Sequence, residues 1–197
     1  MKIKAVIFDL DGTITRPFFD FDAIRIEMGL SREDGPILEA MAKMTPQKRA
    51  EVQQILDYHE QKAVDESQLN DGAKQTLEQL RNNGMKIGIL TRNKTANAVL
   101  IAEKHGLKFD SIIDREDGPV KPDGFGVLEL CRRFAVKPQE TLMVGDYLFD
   151  IQCAKAARAI AVLLANHPRA DEFAPLADYT VYNIDEILGI IKEKNNE

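Results

Sequence analysis

The feature of this sequence that most restricts its fold is a series of short, unbroken apolar runs separated by amphipathic stretches. The first lies within Lys2–Leu10. Others follow at Lys86–Thr91, Ser111–Asp114, Thr141–Gly145 and Ile160–Ala165, with a weaker one at Tyr179–Tyr182. They lack apolar–polar alternation, as expected of parallel strands covered on both faces. Helical patterns lie between them at Gly72–Asn82, Thr95–His105, Gly126–Phe134, Phe149–Arg158 and Ile184–Lys192. Asp71 is placed to cap the first of these and Gly84 to end it, while Gly106 ends the second. The alternation predicts a doubly wound, mostly parallel, Rossmann-like α/β domain.

One stretch breaks the rhythm. Residues 17–70 carry no strand signal and are too many for a loop. Asp22–Met28 and Gly35–Met44 read as helices, and Thr45-Pro46 opens a long one to about Asp65. The expected organisation is an α/β core from residues 1–16 and 71–197, with an all-helical domain, 17–70, inserted after the first strand. The chain has 26 basic and 32 acidic residues, a balance of −6. The insert holds 6 of the basic and 11 of the acidic residues, so −5 of that balance is its own. An acidic chain without a basic stripe disfavours nucleic acid as a partner. The longest apolar run, Ala159–Ala165, falls far short of the roughly 18 residues that span a membrane. The N-terminal run, Ala5–Phe8, is shorter than the about 7–15 residues of a signal-peptide core. Cys131 and Cys153 form no CxxC pair. A cytoplasmic protein is expected, monomeric or a small homo-oligomer, with no membrane partner.

In open α/β sheets, ligands bind at the carboxyl ends of the strands. The first strand delivers Asp9 and Asp11 there, the second Thr91, and the fourth Gly145-Asp146 with Asp150 four residues on. Lys121 follows from a loop. Two carboxylates about 4 Å apart repel by roughly 4 kcal/mol at an effective dielectric of 20, and a cation relieves this. No histidine or cysteine lies in these segments, so the donors are all oxygen, which favours Mg²⁺ over zinc or copper. Such a magnesium keeps open positions suited to a phosphate. Thr91 and Lys121 suit the other phosphoryl oxygens, as a hydroxyl donor and a point charge. Asp9 and Asp11 are two residues apart, so on an extended chain they point to the same side.

Asp9-Leu10-Asp11-Gly12-Thr13, Thr91, Lys121-Pro122 and Gly145-Asp146-Tyr147-Leu148-Phe149-Asp150 resemble, in order, the four motifs of the haloacid dehalogenase-like (HAD) hydrolases. The helical insert resembles the cap of the phosphoglycolate phosphatase and beta-phosphoglucomutase branch. The resemblance implies a Mg²⁺-dependent phosphatase acting on a small phosphorylated metabolite. Asp9 would be the nucleophile, forming an aspartyl-phosphate. Asp11 would be the acid to the leaving group and then the base for water. Asp9, the Asp11 carbonyl and Asp146 would hold Mg²⁺, supported by Asp150. Thr91 and Lys121 would bind the phosphoryl group, and Arg92 is counted with them. The chain departs from the common pattern at Arg16-Pro17, Arg92-Asn93, Tyr147 and Ala157-Arg158, and it lacks the second proline of KPxP. None of these removes a catalytic group.

Alternatives are a phosphomutase of the beta-phosphoglucomutase type and a non-enzymatic binding protein with a relic site. A receiver-type signalling domain is disfavoured, because receivers carry the acidic pair and the phospho-acceptor on different strands and have no cap. Phe18, Phe19 and Phe21 are expected to pack where insert meets core, and Met28, Met41 and Met44 to build the insert's interior. His59 is expected at the surface. An acidic cap predicts a small monophosphate with at most one further carboxylate, unless Arg25, Lys48 and Arg49, with Arg16 and Arg92, converge on the ligand.

Overall fold

The structure is a computed structural model that describes residues 2–196. The chain divides into two compact units, one reaching to Pro17 and resuming at Gln68, the other Phe18–Ser67.

In chain order the elements are β1 (Ala5–Phe8), α1 (Phe21–Met28), α2 (Ile37–Ala42), α3 (Pro46–Glu66), α4 (Ala73–Asn82), β2 (Lys86–Leu90), α5 (Thr95–His105), β3 (Ser111–Ile113), α6 (Phe125–Phe134), β4 (Thr141–Gly145), α7 (Leu148–Ala157), β5 (Ile160–Leu164), α8 (Ala170–Phe173), β6 (Tyr179–Val181) and α9 (Ile187–Asn196). The strands form one sheet in the order β3-β2-β1-β4-β5-β6, every pair parallel. This is the doubly wound arrangement, and the mostly parallel sheet expected from the sequence is parallel throughout. β1 is central, with Ala5–Phe8 fully buried between β2 and β4. The chain reverses its direction of winding between β1 and β4, which places the sheet's binding crevice at their carboxyl ends. Ile7, Leu90, Met143 and Leu163 from four strands pack with Val127 and Leu130 of α6 and with Ile151 and Ala154 of α7 in one core cluster.

Two local expectations need correction. Asp71 does not cap α4. Gly72, at φ +77°, is the N-cap and supplies no side-chain bond. Asp71 accepts instead from Arg16 at 2.7 Å, an exposed pair of little energetic weight. The helix expected over Gly35–Met44 is only Ile37–Ala42. Pro36 lacks an N–H and disfavours helical geometry in the preceding residue, and Gly35 stands at φ +83°, a conformation that glycine adopts freely. α8, a single turn between Pro168 and Pro175, has no periodic signal in the sequence.

Within the unit 18–67, α3 begins as expected, with Thr45 Oγ1 accepting from the Lys48 N–H at 3.3 Å and Pro46 in the first turn. Ile24, Met28, Ile37, Met41, Val52 and Leu56 form its interior, with Phe19 and Met44 against it. Phe19 stacks on Phe21 at 5.3 Å. His59 pairs with Glu27 at 2.8 Å. Arg25 donates to the Gly35 carbonyl and Arg49 to those of Met41 and Ala42. Lys48 pairs with Glu51. These bases are thus engaged inside their own unit.

Candidate active site

Beyond Phe8 the chain leaves the sheet, and the Asp9 N–H still bonds the Val144 carbonyl of β4 at 2.9 Å. That bond holds the buried Asp9 against the end of β4, where Asp146 emerges. Gly12 follows at φ +95°, and a Cβ there would lie 2.5 Å from Asp146 Oδ2. Only glycine meets both demands. Thr13 Oγ1 then donates to Asp146 Oδ1 at 3.2 Å. Distant amides satisfy the carbonyls of this tight loop. Asn166 Nδ2 donates to Gly12 O at 2.6 Å, and Asn70 Nδ2 to the carbonyls of Gly12, Thr13 and Thr15 at 2.7–3.1 Å.

Thr91 ends β2. Its Oγ1 accepts from the Asn93 N–H at 3.0 Å, so the hydroxyl proton is available for a further acceptor. Thr91 does not cap α5. The cap comes from beyond β3, where Asp114 accepts from the N–H groups of Thr95 and Glu116 at 2.6 and 2.7 Å. Burial alone would push the Asp114 carboxyl up, but these bonds bring it below the usual carboxylate range. Asp150 lies in the first turn of α7 and accepts from the Tyr147 N–H at 3.1 Å. A Cβ on Gly145 would sit 2.1 Å from Asp150 Cγ, so glycine is required before Asp146. The Tyr147 ring packs edge-on against Phe149, His167 and Phe173. Tyr147 thus meets Asp150 through its backbone, and a tyrosine serves there as well as a smaller residue.

Lys121 is 4% exposed and donates to both Asp9 Oδ1 and Asp150 Oδ1, the latter at 2.6 Å. The Arg92 guanidinium donates to the Lys121 carbonyl and lies over the Phe149 ring, 5.0 Å from its centre. Asp9, Asp146 and Asp150 each bring one carboxylate oxygen within 4.8 Å of the others. The Asp11 carboxylate stands apart from this trio and accepts from Asn93 Nδ2 at 3.2 Å.

Three buried carboxylates thus share one buried ammonium, which leaves two negative charges uncompensated if all ionise. Burial pushes the Asp9 carboxyl well up, Lys121 opposing and the other acids reinforcing. Burial, and then Asp150, push Asp146 up to about 7. Burial disfavours the Lys121 ammonium, but Asp150 and Asp9 outweigh it and raise its pKa. An all-oxygen donor set with surplus negative charge fits a hard divalent cation.

The sign of a pH effect follows for metal-free protein. Between about pH 4 and 7 the folded state retains a proton on Asp146 that the unfolded chain has released. Folded protein then binds more protons, so stability falls as pH rises through that window. His167, held low by burial, opposes this near neutrality. Melting in chelator from pH 4.5 to 8 is expected to show a fall that Asp146→Asn flattens and that Mg²⁺ at pH 8 reverses. An identical slope in the variant would refute it.

Beyond the catalytic groups of the motifs, the structure adds Asn70, Asn97 and Asn166, and it gives a role to Asn93 of the Arg92-Asn93 departure. Asn93 directly follows the Thr91-Arg92 pair, which was the one available signal.

A parallel sheet with buried acids and a lysine gathered at its switch point is an α/β fold with a charged site where such sheets bind ligands. A family model described as haloacid dehalogenase-like hydrolase matches residues 19–164, a span that includes Thr91, Lys121, Asp146 and Asp150 but starts after β1. An uncharacterized hydrolase of Saccharomyces cerevisiae is 31% identical, covering 99% of this chain and 94% of its own. A phosphoglycolate phosphatase of Chromobacterium violaceum is 28% identical over 96% of this chain and 97% of its own. In fold, the chain is similar to a crystal structure of beta-phosphoglucomutase from Clostridium difficile, with a TM-score of 0.76, 21% identity and coverage of 98% and 97%. The chain belongs to the haloacid dehalogenase-like hydrolases and is an enzyme of that family. Among the described residues, no helix is long and apolar enough to cross a membrane.

Proposed function

We propose that this chain is a Mg²⁺-dependent phosphatase that hydrolyses a small phosphate monoester through an aspartyl-phosphate on Asp9. The observation that carries this reading is the buried Asp9 carboxylate, fixed by Lys121 beside Asp146 and Asp150. Asp9, the Asp11 carbonyl and Asp146 would hold the ion, with Asp150 supporting it. Bound there, Mg²⁺ would offset the surplus negative charge that otherwise repels a phosphate dianion.

The rest is the work of this chain's side chains. Asp9 attacks phosphorus, and the bond from phosphorus to the leaving oxygen breaks. Asp11 gives that oxygen a proton. The carboxylate of Asp11 then takes a proton from water, the water oxygen attacks phosphorus, and the bond to Asp9 breaks to release inorganic phosphate. Lys121 uses two of its three N–H donors on Asp9 and Asp150 and has a third for a phosphoryl oxygen. The Thr91 hydroxyl serves another, and Arg92 flanks them. Such a transfer depends on positioning and charge stabilisation, and a covalent step divides it into two easier ones.

Residues 17–70 act as the cap, with residues 1–16 and 71–197 as the core. The acidic balance of the cap and the engagement of Arg25, Lys48 and Arg49 within their own unit support a small monoester with at most one further carboxylate. The name of the Chromobacterium relative agrees with that size and charge. The protein would act in the cytoplasm.

The test is phosphate release from a panel of metabolite phosphates. Activity is expected with Mg²⁺, to be lost in chelator, and to be inhibited by Ca²⁺, whose longer bonds and higher ligand number misplace the nucleophile. Full turnover in chelator would contradict the metal role. Sugar-phosphate isomerisation without phosphate release would replace the phosphatase reading with a mutase.

Asp11→Ala is expected to slow alkyl-ester hydrolysis by about 10²–10⁴-fold, the range for a lost acid–base group. An aryl ester, whose leaving group needs less protonation, should lose less. Equal losses would argue against the acid role.

A further inference from the structure

The amide of Asn93 meets the carboxylate assigned above as acid and base. Which end of that amide faces Asp11 is decided by its other neighbours. Asn93 Oδ1 accepts from the Lys94 N–H at 2.8 Å and from Asn97 Nδ2 at 2.7 Å. Two donors converge on the oxygen, so the nitrogen is the end turned to Asp11 Oδ2, at 3.2 Å. Asn93 and Asn97 are 5% and 8% exposed. At such burial an unmet amide is costly, so the chain Asn97–Asn93–Asp11 holds together as a unit. Its anchor is rigid, because Asn97 lies in the first turn of α5.

Asp11 needs such support. It lies on the loop beyond β1 and is only half-buried. Asp9 shares the strand end with it, and the two carboxylates repel. A general acid must lie within about 2.6–3.2 Å of the oxygen it serves, and a misplacement of about 1 Å can cost about 10²-fold in rate.

We propose that Asn93, braced by Asn97, is a positioning residue that holds the Asp11 carboxylate in its working rotamer. The hydrolysis of esters with poor leaving groups then depends on an amide 82 residues away in sequence. The proposal rests on the reading of Asp11 as the acid and base.

The test is a double-mutant cycle of Asn93→Ala and Asp11→Ala, with Asn97→Ala alongside and Asn93→Asp as a variant of the same shape that cannot donate. Turnover is measured at saturating Mg²⁺ on the best-hydrolysed alkyl phosphate of the panel and on para-nitrophenyl phosphate. Melting curves report the fold. Asn93→Ala and Asn93→Asp are expected to lower kcat on the alkyl ester about 10–100-fold with little change in KM. The loss on the aryl ester should be at least about tenfold smaller. Asn97→Ala should act in the same sense but less. In the Asp11→Ala background, Asn93→Ala should change kcat by less than about twofold, since residues acting through one group are not additive. Equal losses on both esters, or additive losses in the double variant, would overturn the positioning role and leave the proposed phosphatase standing. An Asp11→Ala variant with unimpaired alkyl-ester turnover would remove the acid role, and this proposal with it.

Discussion

Asp9→Asn is expected to abolish phosphate-ester hydrolysis, a loss of at least about 10⁴-fold, because the amide neither attacks phosphorus nor ligates a cation well. The fold should survive. The oxygen of the substituted amide can still accept from Lys121, and the N–H at this position that bonds Val144 belongs to the backbone. Stability in chelator should hold or rise, since the change removes one of three crowded buried carboxylates whose ionisation burial resists. The two measurements are phosphate release at saturating Mg²⁺ and the melting temperature in chelator. Turnover within about tenfold of wild type would end the assignment of Asp9 as nucleophile. Lost turnover with a collapsed melting curve would show Asp9 to be structural.

Lys121→Met should give the largest loss of stability. Lys121 is the buried cation of the cluster, and methionine matches its length but removes both ion pairs. Breaking a buried pair from one side costs about 3–5 kcal/mol, because the partner charge is left unpaired in a poorly hydrated site. For a chain of this size that is a fall of roughly 6–20 °C in melting temperature. The fall should be largest at neutral pH in chelator. It should shrink near pH 5, where the raised Asp9 and Asp146 carboxyls take up protons. Mg²⁺ should restore part of the stability but not the activity, because in the proposed mechanism the ammonium also holds the phosphoryl group. Melting from pH 5 to 8, with and without Mg²⁺, checks this. A variant as stable as wild type in chelator at pH 8 would mean that solvent reaches the cluster and screens it.

The residues behind these expectations are legible in the amino-acid sequence because of how an open parallel sheet works. Each strand of the central sheet is buried on both faces, so it appears in the sequence as an apolar run with a sharp end. Whatever polar residue follows the run is delivered to the carboxyl edge, as Asp9, Thr91 and Asp146 are. Local chemistry is equally legible where its causes are local. Thr45 and Pro46 start α3 because a hydroxyl and a proline suit a helix N-terminus whatever surrounds it.

Pairings with distant parts of the chain leave no local mark in the sequence. Asp71 has the chemistry of a cap for α4, but Arg16, 55 residues away, takes its carboxylate. Tyr147 departs from the common acidic loop, yet its ring is held in an aromatic cluster with Phe149, His167 and Phe173, and its backbone serves Asp150.

Neighbouring residues alone were enough to define most elements, their ends and the acids at the strand ends, because burial pattern and turn chemistry are local properties of a chain, whereas Lys121 stood out only by its place in the order of the four motifs. Which groups satisfy one another is a matter of packing. Packing set Lys121 between Asp9 and Asp150, Asn166 and Asn70 on the Gly12 loop, and Asn93 with Asn97 behind Asp11. Asparagine is common in loops and carries no periodicity, so apart from the place of Asn93 after Thr91-Arg92 nothing in the chain marks which ones matter. Its role arises where a buried loop leaves a carbonyl or a carboxylate that must be met, and only the folded chain brings the amide there.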